Sequence, residues 1–467
     1  MSRSSAKEIP TGDRLMRILL FTLVVSMISG IMFNVALPRI GEEFGLSLGQ
    51  VSWLSSAYIL IYAIGSVTYG KLADRYPLRK LVAFGLLLCT AGSLVGLSSH
   101  TFALALAGRC LQAAGAAVIP AIAMLIPVRY FPPERRGAAL GLTSVGLALG
   151  SALGPVLSAL IVTFLHWRWL FALPLLVLLT LPMYNKYLAD EGTRADGRFD
   201  GIGAGLLAAA VALFLLSVTN GWMYGLAGLA ALAVFAVRVR TAREPFIAPA
   251  LFRNRKYTLG LAVAFLLQAT GCSLNVLSPL LLARVQALPT LWIGLSLVPA
   301  ALASAWWGRR GGRLADLRGN AYLWRLATGL ALFCSLLLST FAASPAPFVA
   351  AFLILGTVGQ SFLVIALSNA VSRTLPREQA GVGMGMLSLV NFIAQGIAIG
   401  IYGRMADLGG TVVVSWNPLY GSAVRGVVFS NLWLGIAILQ VASLALFVLA
   451  FGERRRATPA KSRTHPA

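Results

Sequence analysis

Long runs of apolar residues, separated by short polar or basic stretches, fill most of this chain. About 20 apolar residues cross the hydrocarbon core as an α-helix, and lipid offers the backbone no hydrogen-bond partners. Runs of this length therefore predict an all-α polytopic membrane protein with 14 transmembrane helices. The predicted spans are 15–37, 50–70, 81–98, 102–126, 138–163, 167–186, 201–218, 222–238, 257–282, 288–307, 321–342, 347–371, 380–403 and 427–451.

Composition supports this class, since 58% of the residues are hydrophobic and 11% are charged. So little polar surface could not cover a soluble protein of 467 residues. We expect no metal or other cofactor, because the histidines are dispersed in loops or the tail and the cysteines lie in apolar spans. These residues are His100, His166, His465, Cys89, Cys110, Cys272 and Cys334.

The net charge of +23 is unevenly distributed. Most of the 38 basic residues fall in the segments of one predicted side, which the positive-inside rule assigns to the cytoplasm. We therefore expect both termini in the cytoplasm, with contacts to anionic lipid and no nucleic-acid partner. The remaining basic residues are Arg109, inside a span, and Arg39, Arg168, Arg284, Arg404 and Arg425, on the other side.

A charged residue inside an apolar span indicates a functional position. All 15 acidic residues lie in loops, tails or segment ends, and Arg109 is the one basic side chain well inside a span. Such a charge costs at least ~2.5–3.5 kcal/mol, which makes Arg109 a functional candidate. Gln112 lies three residues on, on the same helix face. Arg109 could bind backbone carbonyls, sense protons on a neighbour or contact an anionic substrate group.

An internal repeat divides the chain. Gly70-Lys-Leu-Ala-Asp-Arg75 recurs as Gly312-Arg-Leu-Ala-Asp-Leu-Arg-Gly319, each copy directly after a span. If the seventh and eighth spans are an insertion, the arrangement is six plus two plus six, with a substrate site between the halves. The predicted units are an N-terminal six-helix bundle (1–186), linkers and two inserted helices (187–256), a C-terminal six-helix bundle (257–452) and a basic cytoplasmic tail (453–467).

The repeated loops are candidates for gating. Gly70 allows close approach of a neighbouring backbone, and Asp74 can cap a helix N-terminus or pair with Arg75 or Arg79. Such a charge cluster can hold two bundles together in one state and release them in the other. Asp316, with Arg313 and Arg318, is the predicted counterpart, and Asp200 is a further candidate for coupling.

Small residues repeat every four positions on the fifth predicted helix, at Gly146, Gly150, Gly154 and Ser158. This stripe favours close helix contact, and Pro155 bends the helix. It predicts either a flexible seal between the two halves or plain helix packing.

Polar side chains at helical spacing predict a substrate cavity lined by amides and aromatic rings. The alternative is that these groups bond to one another between helices. The candidates are Asn34, Tyr58, Tyr62, Gln112, Gln268, Asn275, Gln360, Asn391 and Gln395.

These motifs resemble those of the major facilitator superfamily, specifically its fourteen-span drug–proton antiporters. The resemblance rests on GKLADRYPLRK (70–80), RCLQAAGAA (109–117), Gly141 with Gly150, Gly154 and Pro155, and WRWLF (167–171). Within that group the chain is most similar to the tetracycline efflux transporters, through FNVALPRI (33–40), YGKLAD (69–74), GRFDGIG (197–203) and QAGVGMGMLSLVNF (379–392). Membrane glutamates of those carriers correspond to Gly30 and Gln395 in this chain, and neither can carry a proton.

The function predicted is efflux of an amphipathic, tetracycline-like drug by a monomeric carrier that uses the proton gradient and alternating access. With no acid at mid-membrane, Asp74 or another carboxylate such as Asp200 is the predicted proton carrier. One alternative is a carrier of a neutral or anionic metabolite with Arg109 as the binding charge. Another is a lipid scramblase or membrane enzyme, although the spans hold no nucleophile–base pair, so we expect no enzyme activity.

Overall fold

The computed structural model describes residues 5–46, 48–51, 53–188, 200–220, 222–242, 245, 249–376, 379–407, 414–420 and 426–451. These residues form helices and the turns between them. In chain order the α-helices are α1 (Ser5–Phe44), α2 (Leu48–Val51), α3 (Trp53–Ala73), α4 (Leu78–Leu97), α5 (Phe102–Ala116), α6 (Val118–Tyr130), α7 (Arg136–Phe164), α8 (Leu181–Tyr187), α9 (Gly201–Asn220), α10 (Trp222–Thr241), α11 (Ala250–Arg253), α12 (Arg255–Arg284), α13 (Thr290–Arg318), α14 (Asn320–Thr340), α15 (Ala346–Ser372), α16 (Ala380–Asp407) and α17 (Val427–Phe451). Two 3₁₀ segments, Pro133–Arg135 and Trp167–Thr180, precede α7 and α8.

Eleven helical stretches within the described residues are long and apolar enough to cross a membrane. Three predicted spans, corresponding to α3, α9 and α13, are not among them. The sequence of α3 explains its absence, because its apolar residues alternate with serine, tyrosine and glycine. The count of fourteen spans therefore stays a prediction, as do the boundaries of the two bundles. The predicted tail 453–467 lies outside the described residues.

Helix ends follow local chemistry. The α13–α14 connection is the single residue Gly319, whose φ of 84° suits a residue without a Cβ. Thr101 accepts a hydrogen bond from the Leu104 amide at the start of α5, and Asn254 accepts one from the Tyr257 amide at the start of α12. Each side chain satisfies one of the amides that a first helical turn leaves without a partner.

We refer to α1–α8 as the N-terminal helices and to α12–α17 as the C-terminal helices. The two sets meet along an α3–α16 interface and an α7–α13 interface. Both are closed by glycine backbones on the side that carries the repeated Gly70 and Gly312 loops, which we call the basic side. A Cβ at Gly70 would lie 2.5 Å from the Gly381 carbonyl oxygen, and one at Gly141 would lie 2.6 Å from the Gly308 carbonyl oxygen. Only glycine permits backbones to approach so closely.

The predicted inserted helices, α9 and α10, pack against each other. Helix α9 also contacts α3 and α16, one from each set, so it lies along the α3–α16 interface. The Asp200 carboxylate accepts a hydrogen bond from the Gly203 amide at the start of α9 and lies 3.2 Å from the Arg238 guanidinium of α10. Asp200 therefore joins α9 to α10, and its role in coupling stays a prediction.

We predict that Gly312→Ala forces the α7–α13 interface apart. The added Cβ would lie 2.7 Å from the Ala138 Cα, which is closer than real side chains come to backbone. Overpacking of this kind costs about 1–3 kcal/mol. A matched control is Gly329→Ala in α14, where a Cβ would have no neighbour within 4 Å. Thermal unfolding in detergent should show a lower midpoint for Gly312→Ala, and equal midpoints for the two variants would contradict this packing.

Candidate functional site

The Asp74 carboxylate crosses the α3–α16 interface and accepts two backbone hydrogen bonds. Its oxygens lie 2.9 Å from the Gly381 nitrogen and 3.0 Å from the Val382 nitrogen. Because α16 begins at Ala380, these are first-turn amides without partners in their own helix. A carboxylate satisfies both and also complements the positive end of the helix dipole. The predicted capping role of Asp74 is therefore seen, and the helix it caps belongs to the other set.

The Asp316 carboxylate makes the equivalent contact at the α7–α13 interface. Its two oxygens accept hydrogen bonds from the Gly137 nitrogen at 2.9 Å and the Ala138 nitrogen at 2.8 Å. Both amides belong to the first turn of α7. The repeated loops thus place one aspartate from each set on a helix of the other set, with approximate two-fold symmetry.

The cations around these aspartates include residues that the sequence did not predict. Arg129 lies 3.8 Å from the Asp74 carboxylate, whereas the predicted Arg79 donates a hydrogen bond to Asn185. Near Asp316, the charges that act on the carboxylate are those of Arg373 and Arg135, and Arg318 instead donates to the Tyr322 hydroxyl. Sequence reasoning missed these arginines because they come from other elements of the chain.

Burial raises the pKa of Asp74 from an ordinary value of 3.8 to about 6. Loss of water disfavours the charged form, and this outweighs the opposing effects of the two amides, Arg129 and Lys71. Asp74 is 7% exposed. It is thus a carboxylate that can change its protonation state near physiological pH while it holds two sets of helices together.

Arg109 is fully buried inside the N-terminal helices. Its guanidinium donates to the Leu54 carbonyl of α3 at 3.4 Å, the Ser29 carbonyl of α1 at 3.3 Å and the Gln112 side chain at 3.0 Å. The Phe33 and Tyr58 rings lie over it, with centroids 4.2 and 4.0 Å away. Of the roles left open from the sequence, the geometry matches binding to backbone carbonyls, so Arg109 ties α1, α3 and α5 together.

Two residues that were predicted to line the cavity are buried around Arg109. Gln112 is 0% exposed and bonds to Arg109 and Ser93, and Tyr58 is 2% exposed beside the guanidinium. The other predicted residues keep some or much of their surface accessible. These are Asn34, Tyr62, Gln268, Asn275, Gln360, Asn391 and Gln395.

Three of the accessible side chains already have protein partners. Asn34 accepts a hydrogen bond from Ser55 at 2.6 Å, and Gln360 donates to the Leu267 carbonyl at 3.4 Å. The Tyr62 ring meets Phe392 of α16 edge-on at 5.4 Å, across the α3–α16 interface. Interhelical bonding, the alternative left open from the sequence, thus accounts for part of this set.

The glycine stripe of α7 lies within the N-terminal helices. Added Cβ atoms at Gly146, Gly150 and Gly154 would meet Leu23, Met27 and Ile31, all on α1. The Ser158 hydroxyl continues this contact by donating to the Met32 carbonyl at 2.6 Å. The predicted seal between the halves is therefore wrong for these glycines, and the helix-packing alternative fits.

Four glycines that the sequence did not single out build the interfaces between the sets: Gly137, Gly308, Gly381 and Gly385. Their spacing in the sequence could have identified them, because each lies four residues from another glycine on its helix, as Gly308 does from Gly312. That pattern indicates close helix contact but does not say which partner helix is approached.

Comparisons with known proteins agree with this architecture. The family model described as Major Facilitator Superfamily matches residues 19–399. A protein of Escherichia fergusonii named as the multidrug resistance protein MdtD is 27% identical to this chain. The match covers 89% of this chain and 90% of MdtD. The riboflavin transporter RibZ of Clostridioides difficile is 28% identical over 56% of this chain, and the match spans 61% of RibZ.

Two solved structures share the fold. The crystal structure of the human organic anion transporter MFSD10 aligns with a TM-score of 0.68 and 18% identity, covering 93% of this chain and 99% of that one. A bacterial homologue of the iron transporter ferroportin, in an outward-facing state, aligns with a TM-score of 0.65 and 12% identity over 94% of this chain and 99% of its own. At these identities the likeness is one of fold.

We predict that Arg109→Lys destabilises the N-terminal helices although it keeps the charge. An ammonium group cannot reproduce the planar contacts to two carbonyls, an amide and two rings. Loss of charged hydrogen bonds costs about 1.5–3 kcal/mol each when the partner stays buried. Arg39→Lys, at an exposed position on α1, is the control. The unfolding midpoint should fall for Arg109→Lys alone, and an unchanged midpoint would show that the site does not need the guanidinium.

Proposed function

Because this chain belongs to the major facilitator superfamily, whose model covers residues 19–399, we propose that it is a proton-driven exporter of amphipathic drugs. It lies in a bacterial inner membrane with both termini in the cytoplasm, as the positive-inside rule favours. Two bundles of six helices, separated by the inserted pair, alternate between states open to each side of the membrane. The basic side, which is closed in the structure, is the cytoplasmic side in this proposal.

The observation that carries this proposal is the pair of reciprocal aspartate contacts. Asp74 binds the first turn of α16 and Asp316 binds the first turn of α7. Each contact must break when the basic side opens, since each joins helices of opposite sets. Four first-turn amides would then need water or another acceptor, so closure and opening are two distinct states rather than a continuum.

Several observations favour an organic substrate that is bound by neutral side chains. Within the described spans, the accessible polar side chains of the predicted cavity are amides and Tyr62. MdtD, which matches most of the chain, is named for multidrug resistance, and RibZ is named for riboflavin, an uncharged heteroaromatic compound. A tetracycline-like drug, with its fused rings and many hydrogen-bonding groups, suits such a lining.

The alternative function was a metabolite carrier that uses Arg109 as its binding charge. The structure disfavours that role, because Arg109 is 0% exposed and covered by Phe33 and Tyr58. A cargo could reach the guanidinium only after these rings move. A neutral substrate such as a flavin remains compatible with the site, and the transport experiment therefore includes riboflavin.

Drug accumulation in bacterial cells that lack their major efflux pumps tests the proposal. Cells expressing the chain should accumulate less tetracycline than cells with an empty vector, and a protonophore should abolish the difference. Tetraphenylphosphonium, riboflavin and an organic anion are measured in parallel. Export of tetracycline that survives the protonophore would contradict proton coupling. Transport of riboflavin alone would replace the drug by a metabolite.

Proton coupling through Asp74 gives the next prediction. Its pKa is about 6 in the closed state, and it returns toward 3.8 when an open loop is exposed to water. The closed state therefore holds the proton more tightly, and acid stabilises closure. This stabilisation is complete below about pH 3.8 and is lost as the pH rises through about 6. Opening on the basic side thus releases a proton there, which is the direction that proton-driven export requires.

Exchange of labelled drug across proteoliposomes, at equal pH on both sides, measures this effect. Wild-type exchange should slow as the pH falls from about 7 to 5, by at most about tenfold per unit for one proton. Asp74→Asn should flatten the profile. Asp200→Asn is the matched control, because its carboxylate joins α9 to α10 instead. A slope that persists in Asp74→Asn would exclude Asp74 as the proton carrier.

A further inference from the structure

We infer that the lipid-facing surface of α13 on the basic side is a binding site for the headgroup of an anionic phospholipid. The site consists of Trp306, Trp307, Arg309, Arg310 and Arg313, which we call the Trp–Arg surface. It lies outside the predicted cargo cavity. The inference therefore stands whether or not the chain exports drugs.

The surface follows from helical spacing. Trp306, Arg309, Arg310 and Arg313 are three, four and seven residues apart, so they share one face of α13. All are exposed, Trp306 at 69% and the neighbouring Trp307 at 45%. The Arg310 guanidinium lies 5.5 Å from the Trp306 ring centroid and 4.8 Å from that of Trp307. Two indole rings therefore hold a guanidinium in place on a surface that faces lipid.

The opposite face of α13 is buried against other helices, and this fixes its orientation. Gly308 and Gly312 meet α7, and Gly311 meets Phe362 of α15. Asp316 also points to α7, where it accepts the Gly137 and Ala138 amides. Its carboxylate oxygens are thus already occupied by these two amides. The Trp–Arg surface belongs to the same helix that closes the α7–α13 interface.

Depth in the membrane agrees with a headgroup site. Trp292, at the other end of α13, is 59% exposed, and Trp306 follows it by roughly 21 Å along the helix. If Trp292 belongs to the aromatic belt of one membrane interface, Trp306 lies just inside the opposite edge of the hydrocarbon core. Arg310 and Arg313 lie roughly 27–32 Å from Trp292, at the limit of a hydrocarbon core of about 30 Å. Their charges therefore reach the phosphate layer.

The two copies of the repeat differ in what covers them: the first copy has a neighbouring segment that the second copy lacks. Lys71, the counterpart of Arg313, donates to the Pro245 carbonyl in the segment that follows α10, and α9 covers the α3–α16 interface. No described helix takes the place of α9 beside α7 and α13 on the lipid side. Within the described chain, Arg309 and Arg313 have no carboxylate within 4.0 Å. Glu134 is an exposed acid on the 3₁₀ turn before α7, an element that contacts α13.

An anionic lipid supplies the negative charge and the apolar covering that this surface lacks. Its phosphate accepts hydrogen bonds from guanidinium groups, and its acyl chains cover the exposed indole rings. Each basic side chain near an anionic membrane surface strengthens attachment several-fold. A headgroup bound here holds α13 in place, so it should also stabilise the closed α7–α13 interface.

The test uses the purified full-length chain in a neutral detergent. Native mass spectrometry counts the phosphatidylglycerol or phosphatidylcholine molecules retained, and thermal unfolding is measured with each lipid. We compare the wild type with Arg309→Gln/Arg310→Gln/Arg313→Gln. The control, Arg253→Gln/Arg255→Gln/Lys256→Gln, removes the same charge from exposed positions around the start of α12.

We expect the wild type and the control to prefer phosphatidylglycerol over phosphatidylcholine and to gain thermal stability from it. The α13 variant should bind phosphatidylglycerol at least about tenfold more weakly. Equal affinity in this variant, or an equal loss in the control, would overturn the site. Stabilisation by inorganic phosphate to the same extent would also overturn it, since the ligand would then not be a lipid.

If the triple variant does not fold, the single substitutions Arg309→Gln, Arg310→Gln and Arg313→Gln replace it. Each should weaken phosphatidylglycerol binding by several-fold. Wild-type affinity in all three would overturn the proposal as firmly as an unaffected triple variant.

Discussion

A carboxylate on the first turn of a helix from the opposite half of the molecule is the interaction on which this structure depends. Helices begin with amides that have no internal partner, and each such group is expensive where water is scarce. Asp74 and Asp316 satisfy two amides each across the two interfaces. Because the acceptor and the donors belong to different halves, neither helix end is satisfied without closure of the basic side.

Glycine makes these contacts possible. A carboxylate on a short side chain reaches a first-turn amide only if the two backbones nearly touch, and Gly70, Gly137, Gly312 and Gly381 lie at the points of contact. The same helices carry other contacts on their remaining faces. On α13, the face opposite the glycines exposes arginine and tryptophan, and this is the surface where we infer that a lipid headgroup binds. On the other side of the molecule the inserted helix α9 lies along the equivalent interface.

Much of the fold was predictable, because long apolar runs have one solution in lipid. The role of Asp74 as a helix cap was also predictable, but not its partner, since Gly381 is 307 positions further along the chain. Local spacing identifies a glycine stripe without naming the helix it meets, so the spacing left open whether the stripe at Gly146 seals the two halves or packs within one of them. Arg109 could be identified from the sequence because a charge inside the membrane is energetically unfavourable. Its hydrogen-bond acceptors could not, because they are backbone carbonyls that any residue can provide.

The distance between the basic ends of α3 and α16, measured between paired spin labels in proteoliposomes, tests the central claim most directly. The account predicts a dominant short distance in the wild type. It predicts a longer and broader distribution when Asp74 and Asp316 are both replaced by alanine, which removes the oxygen acceptors whatever their protonation state, and an intermediate result for either replacement alone. A double variant that keeps the short distance of the wild type would show that other contacts close the basic side, and would contradict the account.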